Sequence, residues 1–130
     1  MVVVDASYAV RECAAGTGFA NFDDEELVAP PLMWSETRSV LHEAMWRGEA
    51  SRDSAERALL RLHEAPVRPR NPGRLGTVSW RLADELGWAK TYDTEYLALA
   101  ELLRCRVVTV DSRLRRGADR LGLVILPTEL

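Results

Sequence analysis

Arg106-Val107-Val108-Thr109-Val110-Asp111 is a run of β-branched residues that ends on a carboxylate. Valine and threonine fill every position from 107 to 110, the composition of a strand buried on both faces. The chain opens on the same pattern: Val2-Val3-Val4 runs straight into Asp5. Leu27-Val28-Ala29 reads as a further short strand, Val67 as the start of another, and Leu123–Leu126 as a last one before Pro127. The segments between them have helical character. One helix covers about 7–15 and ends at Gly16 and Gly18. The next is opened by Pro31 in its first turn, runs to about Trp46 and stops at Arg47-Gly48. A third spans roughly 52–65, with Leu59, Leu60 and Leu62 on its inner side. Two more cover about 77–86, ended by Gly87, and 91–104. A polar helix over 112–121 is interrupted by Gly117 and closed by Gly122. Short buried strands alternating with helices imply a parallel sheet covered on both faces. The expected fold is a three-layer α/β/α domain over residues 1–130, with a short central parallel sheet of four to five strands.

Composition sets further bounds. Of 130 residues, 47% are hydrophobic and 28% charged, an ordinary globular balance that argues against disorder. No apolar run approaches the ~20 residues of a membrane span, and Met1–Val4 is too short for a signal-peptide core. The expected location is the cytoplasm, with no membrane partner. Cys13 and Cys105 form no CxxC pair, so both are expected to be reduced and buried. The net charge is −3, which argues against a protein that wraps nucleic acid by bulk charge. The charges are uneven, however: residues 1–66 carry 12 acids against 6 bases, residues 67–130 carry 8 against 11. Lys90 is the only lysine, so any local phosphate grip must be built mainly of arginine.

Four acids interrupt apolar patterns. Asp5 and Asp111 each follow a buried strand, at the sheet edge where open parallel sheets place their sites. Glu36 lies in helical register with Leu32, Met33, Val40 and Ala44, and Asp93 stands one turn before Tyr96 and Leu97. Strand carboxyl ends and the amino ends of following helices meet on one edge of such a sheet, so all four can converge there. Each also has a plainer account. An Asp after a strand often caps the next helix, Asp93 suits a helix's first turn, and Glu36 suits a solvated helix edge. Together, converging carboxylates repel and are costly to bury, a conflict that a hard divalent cation such as Mg²⁺ or Mn²⁺ resolves.

The segments VVVDAS (2–7), APPLMWSETRSVL (29–41), YDTEYLALAE (92–101) and VVTVDSRL (107–114) resemble, in order and spacing, those of PIN-domain ribonucleases. The nearest likeness is to the VapC toxins of bacterial toxin–antitoxin pairs, and it covers essentially the whole chain. The resemblance implies a PIN-like fold and a metal-dependent ribonuclease, with Asp5, Glu36, Asp93 and Asp111 as catalytic, Mg²⁺- or Mn²⁺-binding acids. It makes Ser7 a supporting hydroxyl, for which a helix-capping role is the alternative. Thr109 reads as a strand residue, with support of the site as the other reading. Ser39 departs from the pattern, since many relatives carry Asn there. The resemblance further implies an RNA substrate, a homodimer and a VapB-type antitoxin whose tail occupies the acidic groove.

Arginines are the candidate phosphate grips: Arg68, Arg70 and Arg74 in a Pro/Gly loop, and Arg113, Arg115 and Arg116 after Asp111. Arg113, two residues beyond Asp111, is the preferred substrate contact. Trp80 and Trp88 are expected to anchor the core or a dimer interface. His42 and His63 sit at surface-like positions with no catalytic role. An aspartyl-phosphate phosphatase would need an Asp where this chain has Ser7, and a receiver domain would need paired acids after the first strand. The remaining alternative is a PIN-fold protein that binds RNA or a partner without cutting.

Overall fold

The computed structural model describes residues 1–129. Five strands form one wholly parallel sheet: β1 (Val2–Val4), β2 (Leu27–Ala29), β3 (Val67–Pro69), β4 (Arg106–Val108) and β5 (Val124–Ile125). The strand order is β3-β2-β1-β4-β5. β1 is therefore central, with Val2 opposite both Leu27 and Arg106. Chain order runs outward in one direction through β2 and β3 and in the other through β4 and β5. The sheet thus changes direction between β1 and β4, the place where open α/β sheets leave a crevice at their carboxyl ends.

Six helices cover the sheet: α1 (Ala6–Ala15), α2 (Leu32–Trp46), α3 (Arg52–Glu64), α4 (Leu75–Leu86), α5 (Tyr92–Leu103) and α6 (Ser112–Gly117). The first three pack on one another, while α4 pairs with α5, which lies along β1 and β4. The result is the expected three-layer α/β/α arrangement. The core is built from β1, Val28, Val107 and Val108 together with Tyr8, Met33, Leu62, Leu82 and Leu97–Ala100, all buried. Cys13 is buried and Cys105 half-buried, both as free thiols. No helix among the described residues is long and apolar enough to cross a membrane.

Several local expectations are corrected. β4 stops at Val108 instead of Val110: Thr109 N–H still donates to Ile125 O, but Val110 N–H donates to Ser7 Oγ and Asp111 N–H to Thr109 Oγ1. The buried stripe of α3 is Ala55, Ala58 and Leu62, so Leu60, expected inside, is 56% exposed. On α2 the stripe is Met33, Thr37 and Leu41, at i, i+4 and i+8, which turns Val40 toward solvent. Trp80 is no core anchor: α4 buries Leu75, Val78, Ser79, Leu82 and Ala83, and the indole is 69% exposed on the other side. The polar segment after Asp111 breaks at Gly117, as expected, into α6 and a 3₁₀ turn over Asp119–Leu121 closed by Gly122.

Candidate active site

Asp5 ends β1 in an extended conformation and caps α1. Its Oδ1 accepts hydrogen bonds from Tyr8 N–H (2.9 Å) and Ser7 Oγ (2.8 Å), and its Oδ2 accepts one from Thr109 Oγ1 (2.5 Å). The carboxyl is buried. Burial pushes its pKa up to about 6; the bonds from Thr109, Tyr8 and Ser7 oppose that rise, and Asp93's charge adds to it. Ser7 and Thr109 have one hydroxyl proton each, and with both directed at Asp5 their lone pairs receive the amides of Val110 and Asp111. The same two hydroxyls therefore hold Asp5 and fix the turn that carries Asp111. Ser7 is a supporting hydroxyl by contact, while Asp5 itself takes the capping role. Thr109, read from sequence as a strand residue, lies beyond β4 and is fully buried against the acid.

Asp111 caps α6: its Oδ1 accepts from Arg113 N–H (2.9 Å) and Leu114 N–H (3.4 Å). The guanidinium Nε of Arg113 lies 3.8 Å from the same oxygen, with the side chain 87% exposed. Asp93 sits in the first turn of α5, where no side chain caps the helix. Its pKa is raised, first by loss of surrounding water and then by the charge of Asp111, against the pull of Arg113. Glu36 is half-buried on α2, and its Oε1 accepts a 2.6 Å hydrogen bond from the hydroxyl of buried Tyr96 on α5. Burial, then the bond to Glu36 and the charges of Glu36, Asp5 and Asp93, keep that phenol protonated at any ordinary pH.

Two adjoining hollows open over Glu36, Asp93 and Asp111, while Asp5 is buried and lines neither. One is lined by Trp88, Asp93, Asp111, Arg113, Leu114 and Gly117. The other is lined by Glu36, Trp88, Lys90, Tyr92 and Asp93, with Gly87 and Ala89. They meet at Trp88 and Asp93. A larger hollow, about 690 Å³, lies at the opposite end of the sheet around Met1, Cys105 and Leu123 and is lined by none of the four acids. Arg68, Arg70 and Arg74 line neither acidic hollow, and Arg115 is bound to Glu129 and Asp119. His42 and His63 are exposed. Sequence reasoning missed two neighbours of the acids. Tyr96 stands in an apolar row, where nothing in the spacing marks its hydroxyl. Glu95 is half-buried, with its pKa raised by burial and then by Glu36. Both fall in the same segment as Asp93, two and three residues further along α5, which is the signal that was available.

The donor set is all carboxylate oxygen, the preference of Mg²⁺ and Mn²⁺; burial first raises the pKa of Asp5 and Asp93, and the charges of Asp93 on Asp5 and of Asp111 on Asp93 add to it, a repulsion that a cation would relieve. In donor type and charge the residues fit such an ion. Among the described residues, no three His, Cys, Asp or Glu side chains already form a cluster that could hold a metal, so binding one would draw these carboxylates closer together.

A family model described as PIN domain matches residues 2–120. Among solved structures, PAE2754 from Pyrobaculum aerophilum superposes with a TM-score of 0.76 at 23% identity, over 98% of this chain and 89% of that one. A toxin–antitoxin complex from Klebsiella pneumoniae gives 0.66 at 16% identity, over the full length of both chains. At these identities the two likenesses establish the fold. No curated protein matches the chain.

Proposed function

The chain belongs to the PIN-domain family, whose members are commonly nucleases, and from that premise we propose that it is a metal-dependent endoribonuclease, the toxin of a VapC-type toxin–antitoxin pair. The observation that carries the reading is that Glu36, Asp93 and Asp111 line two adjoining hollows at the carboxyl end of the sheet, with Asp5 buried at the end of β1, the strand next to β4. Structural caps are satisfied by one carboxylate each. They give no reason for Glu36, Asp93 and Asp111 to line adjoining hollows, nor for Asp5 to be buried beside them, with the pKa of Asp5 and of Asp93 raised.

Asp5, Glu36, Asp93 and Asp111 are the proposed ligands of Mg²⁺ or Mn²⁺. Bound there, the ion supplies the positive charge that polarises a phosphodiester and acidifies the attacking water. Ser7 and Thr109 keep Asp5 oriented inside the fold. Arg113, at the open side of the cleft, is placed to hold a backbone phosphate, and Lys90 offers a second positive charge beyond Trp88. An antitoxin segment laid in this cleft would block it, and the Klebsiella pneumoniae neighbour is itself a toxin–antitoxin complex. A homodimer is part of the same proposal.

The open spacing of the acids favours one second reading, a PIN-fold protein that binds RNA or a partner without cutting. Incubating the purified chain with a total RNA pool in Mg²⁺ or Mn²⁺, with and without EDTA and beside an Asp93→Asn variant, separates the two. Discrete cuts lost with EDTA and with the variant are expected, and the cut ends identify the target. Cleavage that survives Asp93→Asn sinks the site assignment. RNA binding with no cleavage under either metal replaces the nuclease reading with the binding one.

A further inference from the structure

We propose that Tyr96 is a positioning residue for Glu36, a buried phenol whose hydroxyl fixes the carboxylate in the orientation that a bound cation requires; the inference rests on the metal reading above.

Glu36 stands on α2, half-buried at the edge of that helix's buried stripe. Left alone there, a glutamate side chain explores three torsions, and a ligand that must be ordered when the ion arrives is a weaker ligand. Tyr96 removes that freedom. Its ring is locked in the core, 1% exposed, and only the hydroxyl emerges, to donate to Glu36 Oε1 at 2.6 Å. The bond spans 60 residues of sequence and ties the α1–α3 side of the sheet to the α4–α5 side at the edge where Asp5 and Asp111 end their strands.

The direction of the bond is fixed as well. The phenol hydroxyl is the donor and Glu36 Oε1 the acceptor. It occupies one lone pair of Oε1 and leaves Oε2 unclaimed by that bond. Ser7 and Thr109 anchor Asp5 likewise, there by donating to both carboxylate oxygens. Hydroxyls held by the fold thus anchor an acid on each side of the cleft. The substitution Tyr96→Phe would preserve the packing and remove only the donor.

The test is Mn²⁺ binding by titration calorimetry on the full chain, comparing wild type with Tyr96→Phe, beside their thermal midpoints and the kcat and KM for RNA. Loss of such an outer hydrogen bond typically costs roughly 10–100-fold in metal affinity, and that is the expected fall. KM for RNA should hold while kcat at limiting Mn²⁺ drops, and excess Mn²⁺ should recover it. A purely structural tyrosine would lower the midpoint and leave metal affinity alone. If Tyr96→Phe does not fold, 3-fluorotyrosine at position 96 keeps the ring and changes only the hydroxyl's donor strength, and must still shift Mn²⁺ affinity. Unchanged Mn²⁺ affinity in a folded variant overturns the inference. A wild-type chain that binds no Mn²⁺ overturns the metal reading itself, and the two failures are told apart by the wild-type titration.

Discussion

Thr109 Oγ1 donates to Asp5 Oδ2 at 2.5 Å, joining the ends of two neighbouring strands that lie 104 residues apart in sequence. This bond is the strongest of those that keep Asp5 from rising further above its pKa of about 6. Thr109→Val keeps the shape and deletes the donor, together with the acceptor of the Asp111 amide. Asp5 then holds its proton to higher pH, so the acid limb of the activity profile moves upward. An unsatisfied buried acceptor should also cost about 1–3 kcal/mol of stability near neutral pH. Thr109→Ser, which restores a hydroxyl, should bring the limb back. A pH–rate profile of the three proteins checks this, and an unmoved limb in Thr109→Val would count against the role given to Thr109.

Asp5 also predicts how the metal-free protein responds to pH. Its folded pKa of about 6 lies above the ordinary 3.8, so between those values the folded state binds the proton more tightly than the unfolded one. Stability from this group is present at low pH and is lost as pH rises through that window, by about 3 kcal/mol in all. Asp5→Asn removes the dependence. Relative to wild type, the variant should gain stability steadily from pH 4 to pH 6 and keep the gain at pH 7.5, while losing cleavage. Added Mn²⁺ should stabilise wild type more at pH 7.5 than at pH 5, because it needs the ionised carboxylate. Urea unfolding across this range, with and without Mn²⁺, gives the measurement.

Asp5 and Asp111 were legible because a carboxylate after a valine run breaks a pattern, and the sheet order then puts both ends at one crevice. Asp93 and Glu36 were legible by helical spacing alone. Thr109 was not: a threonine among valines has the composition of a strand, and what distinguishes it is a contact made across the sheet. Tyr96 hid for the same reason, since its ring belongs to the core and only its hydroxyl belongs to the site. Leu60 and Val40 mislead because a large apolar residue is expected to face inward. On α3 it is the alanines Ala55 and Ala58, with Leu62, that form the packed stripe, and Leu60 falls outside it.

Gly117 offers a steric probe of the cleft. A Cβ built there would lie 2.9 Å from Cζ2 of Trp88, closer than side chains tolerate. Trp88 lines both hollows between Asp93, Asp111 and Glu36, so Gly117→Ala must push the indole or the start of the following 3₁₀ turn. Misplacing a wall of an active site by about 1 Å can cost on the order of 100-fold in rate. The expected result is a marked loss of cleavage with a folded circular-dichroism spectrum and altered tryptophan fluorescence. Full activity with an unchanged fluorescence spectrum would show that the indole has room to spare and does not shape the cleft.

Arg113 and Arg115 are two residues apart and should behave oppositely. Arg113 is 87% exposed, lines the hollow with Asp93 and Asp111, and reaches Asp111 only at 3.8 Å, so its charge is available to a phosphate. Arg115 is engaged by Glu129 through both Nε and a terminal nitrogen, and by Asp119. Arg113→Ala should raise KM for RNA and reduce the slope of log affinity against log salt by about 1, since one phosphate contact is lost. Its kcat and thermal midpoint should hold, because exposed substitutions rarely move stability by more than about 0.5 kcal/mol. Arg115→Ala should leave the salt slope untouched. A filter-binding series from low to high salt on the wild type and both variants makes the comparison. If Arg115→Ala flattens the slope and Arg113→Ala does not, the RNA runs along the Glu129 side of the sheet instead of through the acidic cleft.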